Sequence, residues 1–301
     1  MCVQRVDDDV AELFFEICDE EHRTLRLDLQ DRLGNTPLHL ALANEHKKMV
    51  ELLLRRGANP HLANEEGSTP LWIVCSSVDY DDDLVETFFE FCDDQRLKLD
   101  ARDKEGNTPL RLALECGNKK AIESLLRSGA DPNSVDENGS TLLYYICERG
   151  KDEGMVEILK IFLECRAARI DSRDKSGRTP LYSTVEPGYG SMTALLLRRG
   201  ADPNVADHKG LTPLHTMCAR YRDDSYLKSF LDVCDEVRRW LRIDARDKEG
   251  RTPLHLAVAE DNKRTARLLL RRGADPELRD AKGSTLLHAI SGNRATISTH
   301  S

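Results

Sequence analysis

The sequence predicts an all-α solenoid of repeated helix pairs, and three observations predict it. A Thr-Pro-Leu or Thr-Leu-Leu motif recurs at Thr36, Thr69, Thr108, Thr141, Thr179, Thr212, Thr252 and Thr285, with spacings of 33, 39, 33, 38, 33, 40 and 33 residues. The segments ARDKEGNTPLRLAL (101–114) and ARDKEGRTPLHLAV (245–258) are near copies 144 positions apart, so a two-unit block of about 72 residues is itself repeated. Each short unit also carries the start and stop signals of two short helices. Self-similarity at a fixed period of this size marks a stack of small supersecondary units, none of which can bury its apolar face alone.

Residues 34–67 show the short unit. Thr36 suits an N-cap, because its hydroxyl can accept a hydrogen bond from an orphan backbone N–H, and Pro37 fits the first helical position, where no N–H is needed. Leu38, Leu40, Ala41 and Leu42 form the apolar side of a first helix. Residues 44–48 turn the chain, and Met49, Val50, Leu52, Leu53 and Leu54 supply a second helix. Arg55 and Arg56 complement its negative end and Gly57 is placed for a left-handed stop. The segment GANPHLANEEG then crosses as a turn-rich finger to the next unit. The long units, LVETFFEFCDDQRLKLDARDKEG (84–106), MVEILKIFLECRAARIDSRDKSG (155–177) and YLKSFLDVCDEVRRWLRIDARDKEG (226–250), lack the glycine stop. Their second helices are expected to run on by about a turn, with LKLD, ARID and LRID packing the exit segment. Residues 1–31 read as a partial repeat, the second half of a long unit. Residues 32–293 hold about eight units, the last one truncated, and 294–301 form a tail. Phe14 and Phe15 at one end, and Leu286, Leu287 and Ile290 at the other, are expected to be partly uncovered. The expectation is a segment of a longer array, or ends that meet a partner.

The segments GNTPLHLAL (34–42), GLTPLHTMC (210–218) and GRTPLHLAV (250–258), with VELLLRRGANP (50–60), ESLLRSGADPN (123–133), ALLLRRGADPN (194–204) and RLLLRRGADPE (267–277), resemble the ankyrin repeat over nearly the whole chain. One such match is weak; eight in phase are specific. The resemblance implies stacked antiparallel helix pairs with hairpin-like fingers, and a partner-binding groove made by fingertips and the exposed side of the first helices. It also implies that His39, His215 and His255, in Thr36-Pro37, Thr212-Pro213 and Thr252-Pro253 motifs, hydrogen-bond locally and brace neighbouring repeats.

Composition restricts the function. Hydrophobic residues make up 40% and charged residues 32% of the chain, and the formal net charge is −9. A broadly acidic surface repels phosphate backbones, which argues against nucleic acid as a partner. No apolar run approaches the roughly 18 residues that span a bilayer, so membrane insertion is not expected. Asp7, Asp8 and Asp9 occupy the place where a secretory signal needs apolar residues, making the cytoplasm, or the nucleus, the expected location. Seven of nine cysteines recur at two equivalent repeat positions, as buried packing residues would, without metal-ligand spacing. No nucleophile elbow, phosphate loop or metalloprotease motif occurs. No catalytic residue, metal or cofactor is therefore expected, and the chain is not read as an enzyme.

Binding is read instead at the fingertips, where residues differ from unit to unit while the scaffold does not: Leu33, Glu65, Glu66, Lys104, Glu105, Glu137 and Asn138. The longer interhelix loops add Tyr80, Tyr221 and Tyr226 beside acids, as rigid contact groups with one apolar and one wet end. The expected function is a non-catalytic protein–protein interaction scaffold. It would act as a free-standing adaptor or inhibitor, as ankyrin inhibitors of Rel-type transcription factors do. The alternative is a substrate-recognition segment of a larger ubiquitin-ligase receptor or channel array.

Overall fold

The computed structural model describes residues 8–77, 82–92, 97–103, 106–136, 138–151, 153–221 and 223–293. They fall into two compact units that divide between Ser134 and Val135. The described secondary structure is helical, apart from a single bridge between Val135 and Thr141.

The first unit opens with α1 (Asp8–Glu20), followed by the pairs α2 (Pro37–Ala43) and α3 (Lys47–Arg55), α4 (Pro70–Ser76) and α5 (Asp82–Cys92), and α6 (Pro109–Cys116) and α7 (Lys119–Arg127). First helices pack on first helices (α2, α4, α6) and second helices on second helices (α1, α3, α5, α7). The second unit repeats the plan with α8 (Leu142–Glu148) and α9 (Glu153–Glu164), α10 (Pro180–Val185) and α11 (Gly190–Arg198), α12 (Pro213–Arg220) and α13 (Ser225–Glu236), α14 (Pro253–Ala259) and α15 (Lys263–Arg271), and α16 (Leu286–Asn293). Here α8, α10, α12, α14 and α16 form the row of first helices.

The capping residues act as their chemistry requires. Thr36, Thr108, Thr141, Thr212 and Thr252 each accept a bond from the backbone N–H three residues on. Thr69 and Thr179 hold the same extended cap backbone without that bond. At the far end of α3, Gly57 sits at φ 86° while its N–H and that of Ala58 close on Leu54 O and Leu53 O, both at 3.0 Å. That is the left-handed stop expected from the sequence.

The second helices of the short units have nine residues each, whereas α5, α9 and α13 have 11, 12 and 12. The extension is two to three residues, less than the expected turn. The rest of each insertion lengthens the interhelix loop and the exit segment. The long helices carry the largest fully buried side chains, Phe88, Phe162 and Phe230. Cys75, Cys147 and Cys218 are fully buried on first helices, and burial raises their thiols far above the ordinary value. In α1, Phe15 is buried beneath Arg56, whose guanidinium lies 4.4 Å from the ring centroid, while Phe14 is 52% exposed. Leu286 is likewise buried, and Leu287 and Ile290 are exposed.

Candidate partner-binding surface

Each finger is built on a side chain. An Asp or Asn five residues before the repeat threonine (Asp31, Asn64, Asp103, Asp136, Asp174, Asp207, Asp247 and Asp280) accepts, through Oδ1, the backbone N–H four residues on. In six of the seven fingers in which that residue is described, the N–H two residues on donates to the same oxygen. One short polar side chain thus closes the turn and replaces the water that would otherwise solvate those amides.

Neighbouring fingertips are also joined by backbone bonds. In the first unit Glu65 N–H donates to Leu33 O at 3.0 Å. In the second unit the same link recurs from Lys175 to Asn138 (3.3 Å), His208 to Ser176 (2.9 Å), Lys248 to Lys209 (3.0 Å) and Ala281 to Glu249 (2.8 Å). A second set of pins lies at the base of the fingers. Asp28, Asp100, Asp171 and Asp244 accept the N–H of Asn59, Asp131, Asp202 and Asp275, respectively, at 2.8 to 3.1 Å.

Histidines couple the first helices to the fingers. Thr36 N–H donates to His39 Nδ1 at 3.2 Å, and Thr212 N–H to His215 Nδ1 at 3.2 Å. Nδ1 is therefore the acceptor, and the proton sits on Nε2. Nε2–H then donates to a carbonyl at the foot of the next finger, Ser68 O at 3.0 Å and Arg251 O at 3.1 Å, respectively. His255 makes the same Thr252 contacts. Its buried Nε2 faces Ser284 without completing a hydrogen bond. Burial lowers the pKa of all three from 6.5, opposed by the carboxylates of Asp31, Asp247 and Asp280. For a histidine lowered on folding, the neutral form contributes fully above the unfolded value. That contribution is lost as pH falls from about 6.5 toward the folded value, because the unfolded chain then takes up more protons. The thermal midpoint is accordingly expected to drop between pH 7.5 and pH 5. A triple His39→Gln, His215→Gln, His255→Gln variant should start lower and fall less over that interval. Parallel pH profiles for the two proteins in calorimetry would refute the assignment.

The predicted site residues fall into three groups. Leu33, Glu65, Glu66 and Asn138 are exposed fingertip side chains, Leu33 at 66%. Tyr80, Lys104, Glu105 and Glu137 lie outside the described residues. Tyr221 and Tyr226 differ from the expectation of free loop contacts. Tyr226 belongs to the first turn of α13, and its hydroxyl lies 2.8 Å from Thr193 Oγ1 on the preceding repeat. Tyr221 O–H is shared between Val185 O at 3.0 Å and Glu186 O at 2.9 Å, and the two rings meet edge to face at 5.3 Å. Asn262 Nδ2 donates to Tyr221 O from the repeat that follows. The longer loop brings both rings back over α10, so their polar ends are used inside the unit. Burial raises both phenols above their ordinary value.

Beside the fingers of the second unit, first helices line a cleft of about 250 Å³ with Tyr144, Glu148, Arg178, Glu186 and Arg220 among its walls. Glu186 bridges Arg178 at 3.2 Å and Arg220 at 3.0 Å, and Arg178 lies 4.9 Å above the Tyr182 ring. Burial, with Asp174 and Glu148 nearby, pushes the Tyr144 phenol up to about 12. Charged and aromatic groups thus alternate across three repeats, without a nucleophile–base pair among these residues. No described group of His, Cys, Asp and Glu could hold a metal ion, and no described helix is long and apolar enough to cross a membrane.

Comparison with known proteins agrees with this architecture. Ankyrin-repeat family models match residues 33–65 and, in three copies, 56–136, 117–207 and 186–280. The human transient receptor potential cation channel subfamily A member 1 is 26% identical over 291 residues, covering 86% of this chain and 26% of the channel. The mouse B-cell lymphoma 3 protein homolog is 29% identical over 197 residues, covering 65% of this chain and 42% of that protein. The chain thus spans less than half the length of these relatives. Among solved structures, the ankyrin repeat domain of Bcl-3 superposes with a TM-score of 0.60 at 22% identity, over 85% of this chain and 94% of that one. With the family models spanning most of its length, the chain belongs to the ankyrin repeat family.

Proposed function

We propose that the chain is a non-catalytic scaffold of the cytoplasm or nucleus that holds a protein partner along its fingertips and first helices. The observation that carries this reading is the finger-to-finger backbone ladder. It uses the peptide groups of the tips and leaves their side chains exposed, so a partner meets a surface ordered before it arrives. Charge suggests what that partner offers. The described tips of the second unit carry Lys175, Lys209, Lys248 and Lys282 against one carboxylate, Glu249, which Arg251 engages at 3.0 Å. Lys209, Lys248 and Lys282 make no ion pair with a described residue. On a chain of net charge −9, this row suits an acidic partner face. Glu65 and Glu66 give the first unit the opposite character.

The test is capture from cell extract with the intact chain, a Lys209→Glu, Lys248→Glu, Lys282→Glu variant and a Glu65→Lys, Glu66→Lys variant, each checked by circular dichroism. A protein held by the intact chain should be retained at least tenfold less by one folded variant. Equal retention by both would remove the fingertips from recognition. The second reading sets the same surface inside a larger machine, such as a ubiquitin-ligase receptor or a channel's cytosolic array. It is favoured by similarity to the cation channel across 86% of this chain. A longer transcript in frame with these residues decides for it.

A further inference from the structure

Trp240 has the highest exposure among the large hydrophobic side chains described, 72%. The fold does not require it. In the other three copies of the exit segment, the residue four before the pinning aspartate is Thr24, Arg96 or Ala167. Yet the backbone around Trp240 is held firmly. Asn204 Nδ2 donates to Trp240 O at 2.8 Å, and Asn204 Oδ1 accepts from Arg242 N–H at 2.7 Å. Asn204 is itself fixed by Asp202 Oδ1, which accepts from its backbone N–H at 2.9 Å and from Nδ2 at 3.1 Å. The indole therefore stands in water on a rigid support.

Its neighbours are cationic. The Arg242 guanidinium lies 5.7 Å from the indole centroid, and Arg173 is held by one N–H to Ala206 O at 3.2 Å. Trp240, Arg242, Arg173, Asn204 and Asp202 line one cleft of about 550 Å³, which includes none of the fingertip or first-helix residues. Among the described residues no carboxylate forms an ion pair with Arg173 or Arg242. Asp202 brings the cleft's one carboxylate, and its Oδ1 is already used by Asn204. The segment 238–246 carries Arg238, Arg239, Arg242 and Arg246 against one carboxylate, Asp244, on a chain that is acidic overall. Trp and Arg are among the residue types that dominate binding energy at interfaces, and a guanidinium without a carboxylate partner is suited to a carboxylate fork.

We infer that this edge of the second unit is a separate docking surface for an extended acidic segment of a protein partner, with a carboxylate taken up by Arg173 and Arg242 and an adjoining apolar side chain laid on Trp240. A basic or neutral segment would leave both guanidinium groups without a carboxylate, and a purely acidic one would leave the indole in water.

The experiment is an array of capped random nonapeptides probed with the full chain. Bound sequences should be enriched in Asp and Glu next to a large apolar residue. The strongest, labelled and followed by fluorescence anisotropy, should lose at least tenfold in affinity in Trp240→Ala and in Arg173→Glu, Arg242→Glu, and should weaken as salt rises. These side chains are exposed, so both variants should melt with the intact chain, and the fingertip variant Lys209→Glu, Lys248→Glu, Lys282→Glu should bind normally. Absence of enrichment, enrichment without acids, or equal binding by the Trp240 and arginine variants overturns the proposal. Loss in the fingertip variant alone would assign the peptides to the groove and overturn it too.

Discussion

Replacing Phe162 with alanine is expected to cost about 3–5 kcal/mol, the range for emptying a fully buried aromatic site. Phe162 is completely buried in α9, which packs both on its own partner α8 and on α11 of the next repeat. The cavity therefore weakens a repeat and the interface that joins it to its neighbour. Stability in such an array is close to a sum of repeat and nearest-neighbour terms, so a local loss of this size is felt first by the helices around it. Against a typical total of about 5–15 kcal/mol, it should uncouple α8–α11 before α14 and α15 lose protection. Urea unfolding followed by circular dichroism measures the first effect, and amide exchange resolved by segment measures the second. Leu287→Ala, at a side chain 66% exposed, is the control and should lie within about 0.5 kcal/mol of the parent. A Phe162→Ala cost under 1 kcal/mol would mean that the long-unit helices do not carry the core.

The elements most readily read from the sequence were those whose signals are local. Each repeat threonine announces its helix, and each glycine after a second helix ends it, because caps depend on a few adjacent residues. The long units were less legible. A missing stop shows that a helix continues, but its length is set by where the exit segment docks, which is why α5, α9 and α13 gain only two to three residues. The finger turns had a visible signal, an Asp or Asn five residues before every repeat threonine with a glycine three residues after it. That pairing is hard to tell from solvated charge until the Oδ1 bonds are seen. Tyr221 and Tyr226 had the composition of contact residues, but their hydroxyls find partners 33 to 42 positions away, at a register sequence does not reveal. Trp240 was hidden by its setting, since its neighbours Leu241 and Ile243 read as packing residues and are in fact only half-buried, and nothing local states that the preceding indole is left outside.

Gly250→Ala should be the more damaging of two chemically identical changes, with Gly283→Ala as its reference. Both glycines have positive φ, 72° and 77°, so each alanine pays the left-handed penalty of about 1–2 kcal/mol. At Gly283 a new Cβ would meet nothing within 4 Å. At Gly250 it would stand 2.6 Å from Ala281 N and 3.0 Å from Asp280 C, backbone atoms of the next finger. Those atoms cannot swing away as a side-chain end could, because Ala281 N–H is bonded to Glu249 O at 2.8 Å and the Asp280 carboxylate holds the turn behind it. The fingers must separate, and the ladder bond is the first to go. The expected excess over Gly283→Ala is about 1–3 kcal/mol, the usual range for enforced backbone strain. Exchange of the Ala281 amide should accelerate in Gly250→Ala, while the Lys248 amide, bonded to Lys209 O on the other side, should keep its protection. Equal costs for the two variants would show that the fingers give way without loss and that their tips are not ordered in advance. The fingertip reading would then lose its physical basis, because a partner would have to order the surface it binds.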